Sequence, residues 1–330
     1  MSRKSVSSVK IIGLSAAKIV TNSVCKYLGV KPIPVTISHF ADGEILVRPE
    51  VPVRNCNITI IQSLSKPVNE NIMELLIAID SLKRASAKTI NVVIPYYAYA
   101  RQDRKTLGRE PITSKLIASL LEKTGASRVA IVDIHSEQAQ GFFDIPVDTL
   151  RATFLTVNAA IKRLNMKNLV VVSPDYGGVK RARSIANALN INLAILDKRR
   201  PSPNCAEVAN ILGDVRGKDC LISDDMIDTA GTLSAACKIL KSKGAKSITV
   251  TATHGILSSP AIKRLTDAIV SKEISDIYLT NSIESVNNLH IPKLHIIDIG
   301  EYLADIIRVY YSETGSISKI YEKYTPKVHH

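Results

Sequence analysis

The run from Leu221 to Leu233, LISDDMIDTAGTL, constrains the fold more than any other stretch. Cys220 to Ser223 read as a short buried strand, and Asp224 and Asp225 stand at its carboxyl end. Thr229-Ala230-Gly231-Thr232 then opens a helix with Leu233, Ala236, Cys237 and Leu240 on one face. Strand, acidic turn and helix in that order belong to an open α/β sheet. There, ligands bind beyond the carboxyl ends of the strands, and the first N–H groups of a helix are donors at the positive end of its dipole. A phosphate fits that crown of amides. The neighbouring carboxylates would repel a bare phosphate, so they take sugar hydroxyls, or a metal ion that carries the phosphates of a second substrate. The implied ligand is a phosphorylated sugar. An isolated acidic turn is more often a helix cap built on a residue such as Asp228 or Thr229, but three acids within five residues exceed what a cap needs.

A chain of 330 residues buries a large core and divides into two domains of roughly 150 residues each. No stretch reaches the roughly 18 to 20 uninterrupted apolar residues of a membrane helix. The start MSRKSVSSVK is not followed by an apolar segment with a small-residue cleavage site. The expectation is a cytoplasmic protein with no membrane partner. Cys25, Cys56, Cys205, Cys220 and Cys237 are scattered and odd in number, so neither a disulfide framework nor a zinc site follows. Cys220 and Cys237 read as small buried hydrophobes. The net charge of +13 suits anionic partners. Its basic groups are short, KRAR at Lys180 to Arg183 and DKRR at Asp197 to Arg200, and there is no Trp. Both facts argue for polyanionic small molecules and against nucleic acid.

Taken in order, KIIGL (Lys10 to Leu14), PVTISHF (Pro34 to Phe40) and NITIIQS (Asn57 to Ser63) read as strands. Phe40 followed by Ala41-Asp42-Gly43-Glu44 offers a ring face and acceptors to a base, although D-G alone is a hairpin turn. Ile72, Leu75, Leu76, Ile79 and Leu82 have helical spacing, and TINVVIPYYAYARQD follows as strand and loop. Tyr96, Tyr97 and Tyr99 before Arg101 and Gln102 suit stacking on a base and pairing with phosphates. REPITSKLIASLLEKTGA predicts a helix with Ile117, Leu120 and Leu121 inward. RVAIVDIHSEQ then delivers Asp133, His135 and Glu137 to a strand's carboxyl end. This is the βαβ rhythm of a parallel sheet.

GFFDIPVDTLRA marks the passage to the second half, with the boundary near Asp148: residues 1–148 and 149–330, roughly the last 20 packing back on the first domain. The rhythm restarts with a helix carrying Phe154, Val157, Ala160 and Ile161, the strand LVVVSPD, the loop YGGVKRARS with its helix, and the strand LAILDKRR. RPSPNCAEVANILGDVRGK reads as a long loop and a candidate lid with Lys198 and Arg200 at its root. Both halves hold a strand that ends in proline and a basic loop, NVVIPYYAYAR and LVVVSPDYGGVKRAR, so two related α/β domains are expected.

Seven segments, HFADGEI, PYYAYARQDRK, GREPITSKL, VDIHSEQAQGFFDIPVD, VVSPDYGGVKRAR, DKRRP and DDMIDTAGTL, together resemble the ribose-phosphate diphosphokinases, the phosphoribosyl diphosphate synthases. The likeness runs from Lys10 to Arg308. It implies two tandem type I phosphoribosyltransferase-like domains, Rossmann-like with mostly parallel sheets, in a homohexamer built from dimers. The implied reaction moves the diphosphoryl group of MgATP to the 1-hydroxyl of ribose 5-phosphate and releases AMP. By position, the resemblance implies that Asp228, Thr229, Ala230, Gly231 and Thr232 hold the 5-phosphate, with Asp224 on the ribose hydroxyls and Arg200 also at this substrate. His135 and Asp175 would hold Mg²⁺, directly or through water. Lys198 and Arg200 would neutralise the transferred group. Arg101 and Gln102 would hold ATP, and Phe40, Asp42, Gly43 and Glu44 from an adjacent subunit would receive adenine.

The sequence departs from the family's pattern in GLSAAKIV, in Ser223 before the acid pair, in HGILSSPA, and in an ending, YEKYTPKVHH, that is longer than usual. None of these removes a catalytic group. A non-catalytic regulatory homologue is the alternative; it would have lost His135 or the basic pair of DKRR. A phosphoribosyltransferase that consumes the diphosphate would need only one such domain.

Overall fold

The computed structural model describes residues 9–199, 208–312 and 314–326. They pack as two units. One holds the chain up to Ala152 together with Ser282–Glu284 and Asp298–Tyr321; the other holds Thr153–Asn281, Ser285–Ile297 and the chain from Glu322.

The first unit runs β1 (Lys10–Gly13), α1 (Lys18–Leu28), β2 (Val35–His39), β3 (Ile45–Pro49), β4 (Asn57–Ile61), α2 (Val68–Arg84), β5 (Thr89–Ile94), α3 (Thr113–Thr124), β6 (Arg128–Val132) and β7 (Val147–Leu150). Its five-stranded sheet has the order β1-β4-β5-β6-β7, parallel throughout, while β2 and β3 form a separate antiparallel ribbon. The near-continuous apolar runs of β4 and β5 have their cause here. A strand covered on both faces has no solvent side to carry polar residues, and Ile58, Ile60, Ile61, Val92 and Val93 are all buried. In α3 the expectation needs one correction. Ser114, Ile117, Ala118 and Leu121 form the inward stripe, while Leu120 lies to its side and is 38% exposed.

A buried polar pair shapes the loop after β1. Gln62 Oε1 accepts the Ala16 N–H at 3.0 Å, Glu74 Oε1 accepts the Ser15 N–H at 2.8 Å, and Gln62 Nε2 donates to Glu74 Oε1 at 2.9 Å. Ala17, at the start of α1, has no side chain able to cap it. Glu284 supplies the missing acceptor, taking the N–H groups of Ile19 and Val20. The boundary expected near Asp148 falls inside β7, where Asp148 takes the Arg128 guanidinium at 2.9 Å.

The second unit runs α4 (Thr153–Ile161), β8 (Leu169–Ser173), α5 (Val179–Leu189), β9 (Asn192–Arg199), β10 (Val208–Leu212), β11 (Asp219–Ile227), α6 (Gly231–Ser242), β12 (Ser247–Gly255), α7 (Ala261–Val270), β13 (Asp276–Thr280) and β14 (Leu294–Ile297). The sheet order is β10-β9-β8-β11-β12-β13-β14, parallel except for β10 against β9. One apolar cluster joins α4 and α5 to Val171 and Leu221. The other joins α6 and α7 to Val170, Val172, Cys220 and Ile222 on the opposite face. Both faces are therefore covered, as a doubly wound sheet requires. Burial pushes the Cys220 thiol up to about 12, as befits a small buried hydrophobe.

Two readings change. Lys180 to Arg183 belong to α5 and not to a loop. The segment read as one long loop contains β10, which pairs with β9 in the register Ala209 to Lys198. The last two helices, α8 (Gly300–Tyr310) and α9 (Ile317–Tyr324), follow β14. Within the first unit, Tyr311 Oη meets Thr59 Oγ1 at 3.1 Å and Tyr321 Oη donates to the Thr149 carbonyl at 2.7 Å.

Candidate functional site

In the second unit, β9 lies on one side of β8 and β11 on the other, so the chain reverses its direction of travel across the sheet between β8 and β11. That is a topological switch point, where an open sheet leaves a crevice at its carboxyl edge. β11 sharpens the crevice. Its pairing with β8 ends at Ile222 with Val172, while its pairing with β12 continues to Ile227 with Gly255. The strand is thus longer than the expected four residues. The β12 ladder carries it through the acid pair, and its β8 side is left open.

Asp224 and Asp225 stand on this one-sided stretch. Arg181, from α5, puts Nη1 at 2.8 Å from Asp224 Oδ1 and Nη2 at 3.2 Å from Asp225 Oδ1, and the Asp225 N–H also donates to Asp224 Oδ1 at 2.9 Å. Asp225 is buried; Asp224 keeps 38% of its side chain exposed toward the crevice. Burial, then the hydrogen bond and charge of Asp225, push the Asp224 carboxyl up to about 7 against the pull of Arg181.

The turn Asp228-Thr229-Ala230-Gly231-Thr232 joins β11 to α6. Ala230 is left-handed, with φ 58° and ψ 14°, and α6 begins at Gly231 without a side-chain cap. The start of a helix carries donors that suit an anion. Arg264, from α7, donates through Nη1 to the Thr229 carbonyl at 2.9 Å. Asp224 and residues 228–232 therefore gather at one strand end. Arg181 and Arg264 join them from helices and had no role in the sequence reading; only the KRAR group pointed to the first.

In the first unit, a cavity of about 730 Å³ is lined by Arg101, Gln102, Asp103, Arg104, His135 and Gln138 among others. The sequence placed Arg101, Gln102 and His135 on separate segments; the fold brings them to one wall. Thr113 Oγ1 donates to Gln102 Oε1 at 2.5 Å, and Glu110 Oε2 takes the N–H groups of Thr106 and Leu107, at 2.8 and 2.9 Å, to fix the loop. The expected tyrosine platform is overturned for two of its three rings, Tyr99 staying partly exposed. Tyr96 and Tyr97 are buried, and Tyr97 Oη donates to the Ser114 carbonyl at 3.0 Å, so these rings serve the core. Phe40, Asp42, Gly43 and Glu44 form the tip of the β2–β3 ribbon and not a wall of this cavity. Gly43 has φ 93°, Asp42 Oδ1 accepts the Glu44 N–H at 3.1 Å, and Phe40 is 55% exposed.

Asp175 follows β8, and its Oδ1 accepts the Gly178 N–H at 2.9 Å. Mg²⁺ carried by substrate phosphates needs only one or two protein donors and keeps several waters. The Asp175 carboxylate in one unit and the exposed His135 imidazole in the other each fit such an outer role. Among the described residues no three His, Cys, Asp or Glu side chains gather into a cage. Lys198 lies in β9, where only its backbone is described, and Arg200 lies outside the described residues.

Comparison with known proteins extends these observations. The model of the N-terminal domain of ribose phosphate pyrophosphokinase matches residues 9–125, and the phosphoribosyl transferase domain model matches residues 147–284. The chain is 50% identical over 314 residues to the ribose-phosphate pyrophosphokinase of Mycoplasma genitalium, covering 95% of this chain and 94% of that one. It is 47% identical over 315 residues to that of Listeria ivanovii, covering 95% and 97%. The crystal structure of phosphoribosylpyrophosphate synthetase from Mycobacterium smegmatis matches with a TM-score of 0.85 at 40% identity, over 93% of this chain and 99% of that one. The resemblance and the fold class read from the motifs are both borne out: the chain belongs to the ribose-phosphate pyrophosphokinase family, diphosphotransferases with two phosphoribosyltransferase-type domains.

Proposed function

We propose that this protein transfers the diphosphoryl group of MgATP to the 1-hydroxyl of ribose 5-phosphate, giving phosphoribosyl diphosphate and AMP. The observation that carries this reading is the left-handed turn at Ala230, which closes the acid-bearing strand β11 at the switch point of its sheet. Amides at a helix start suit a phosphate, and carboxylates one strand-end away suit sugar hydroxyls. The names of the relatives support the same chemistry.

In this reading Asp228, Thr229, Ala230, Gly231 and Thr232 receive the 5-phosphate, Asp224 takes ribose hydroxyls, and Arg200 contacts the same substrate. Arg101 and Gln102 hold the phosphates of ATP from the 730 Å³ cavity. Phe40, Asp42, Gly43 and Glu44 hold adenine for a neighbouring subunit, which makes a homohexamer of dimers part of the site. The sugar oxygen attacks the β-phosphorus, the bond between that phosphorus and the α–β bridging oxygen breaks, and AMP leaves with the bridging oxygen. Lys198 and Arg200 meet the charge that spreads over the phosphoryl oxygens, and little proton chemistry is required. His135 and Asp175 would each contact Mg²⁺, directly or through water, and the ion would supply further neutralisation of the phosphates. The reading assigns the enzyme to the cytoplasm; no described helix is long and apolar enough to cross a membrane.

The test is AMP release by purified protein from MgATP, with and without ribose 5-phosphate. Release that depends on the sugar phosphate is expected. No AMP, or AMP formed equally without the sugar, would overturn the proposal, and silence on its own is the behaviour of a non-catalytic homologue.

A further inference from the structure

We infer that Arg264 is a positioning residue for the 5-phosphate: by holding the Thr229 carbonyl it aims the Ala230 N–H at the ligand. The inference rests on the assignment of ribose 5-phosphate to that turn. Three observations carry it. Arg264 Nη1 donates to Thr229 O at 2.9 Å, across 35 residues of sequence. A trans peptide sets its C=O and N–H on opposite sides of the bond, so anchoring this oxygen toward α7 turns the Ala230 N–H the other way. Ala230 is also held at φ 58°, a conformation that residues with a Cβ avoid and that an external anchor must maintain.

Gly231 supplies the third observation. A Cβ there would lie 3.2 Å from Arg264 Nη1, and Gly231 is not among the glycines with positive φ. The glycine leaves room for the guanidinium; its own backbone does not demand it. The turn contains no basic residue of its own, and no carboxylate among the described residues pairs with Arg264. Its charge offsets the carboxylates of the acidic turn, at the end of the helix dipole that also favours an anion.

The experiment compares wild type, Arg264→Met, Arg264→Lys and Gly231→Ala. For each it reads KM for ribose 5-phosphate, KM for MgATP, kcat and the thermal midpoint. Arg264→Met is expected to raise the sugar-phosphate KM roughly ten- to hundredfold, the value of a hydrogen bond to a charged group, while the MgATP KM stays unchanged. Arg264→Lys recovers part of the loss because it keeps the charge without the fork. Gly231→Ala, by displacing the guanidinium, raises the same KM and adds little on top of Arg264→Met. If Arg264→Met does not fold, Arg264→Lys decides: its ribose 5-phosphate KM must rise while its MgATP KM stays unchanged. An unchanged ribose 5-phosphate KM, or an equal rise for both substrates, overturns the positioning role while leaving the reaction assignment standing. Wild-type protein that releases no AMP overturns that assignment, and this inference with it.

Discussion

Arg181 Nη1 donates to Asp224 Oδ1 at 2.8 Å, which makes one guanidinium the counter-charge for the acid that faces the crevice of the second unit. Its other nitrogen serves Asp225, so the charge is divided, and burial beside a second acid still pushes Asp224 up to about 7. An accepting carboxylate is what a sugar hydroxyl needs. The KM for ribose 5-phosphate should therefore fall as pH rises through about 7, and Arg181→Gln should move that transition upward. Stability runs the opposite way. A carboxyl whose folded value lies above its unfolded value stabilises the protein below the unfolded value of about 3.9, and that contribution is lost as pH rises through the folded one. Asp224→Asn should melt higher than wild type near pH 8 and lose that advantage near pH 4. A constant difference in melting temperature across that range would contradict it.

Asp228→Asn and Thr232→Val probe the same turn from its two ends. Asp228 ends the acid triplet, and Thr232 presents an exposed side chain on the first turn of α6. Each substitution should raise the KM for ribose 5-phosphate roughly tenfold or more and leave the MgATP KM in place, since Thr232→Val removes a hydroxyl and Asp228→Asn removes the charge of the turn's own carboxylate, both on the side of one substrate. Steady-state kinetics with either substrate varied gives the answer, and an effect confined to ATP would reject the assignment of this turn.

What could be read from the sequence follows from how each feature is encoded. Asp224 and Asp228 to Thr232 fall within nine residues of one another, so one stretch revealed their shared position at a strand end. Buried parallel strands such as β4 and β5 also announce themselves, because cover on both faces forces unbroken apolar runs. The length of β11 was hidden because acids read as a strand's end, whereas pairing with β12 extends the ladder past them to Ile227. Tyr96 and Tyr97 misled for a related reason: aromatics beside a charged loop look exposed, but a hydrogen bond from Tyr97 to the Ser114 carbonyl draws that ring into the core. Arg181 and Arg264 reach the site from 43 and 35 residues away along the chain, by helix packing that no local pattern records.

Glu74 should matter to stability without touching a ligand. Its side chain is buried and accepts from the Ser15 N–H and from Gln62 Nε2, while Gln62 in turn holds the Ala16 N–H. Glu74→Ala removes the acceptor of the Ser15 N–H and the nearest acceptor of Gln62 Nε2, whose contacts with Asn71 are longer at 3.4 Å, at a cost of about 1–3 kcal/mol in total. Glu74→Gln retains an acceptor oxygen and should recover much of the loss. Denaturant unfolding of both variants tests this, and equal stability for Ala and Gln would show that the hydrogen bonds contribute little.

Lys198 offers the sharpest separation of binding from chemistry. Its backbone is paired with Ala209 in the antiparallel β9–β10 ladder, so a substitution there leaves the local hydrogen bonding of the strands in place. Under the proposed reaction its ammonium meets charge that is greatest while the diphosphoryl group is between donor and acceptor. An interaction stronger in the transition state than in the bound substrate shows in kcat and not in KM. Lys198→Ala should accordingly lower kcat by about 10²–10³, the usual effect of deleting one preorganised donor, with ATP binding within about twofold of wild type. Equilibrium binding of ATP beside single-turnover rates separates the two. An unchanged rate would reject the role, and a rate loss matched by weaker ATP binding would move Lys198 from the transferred group to the nucleotide's ground-state seat.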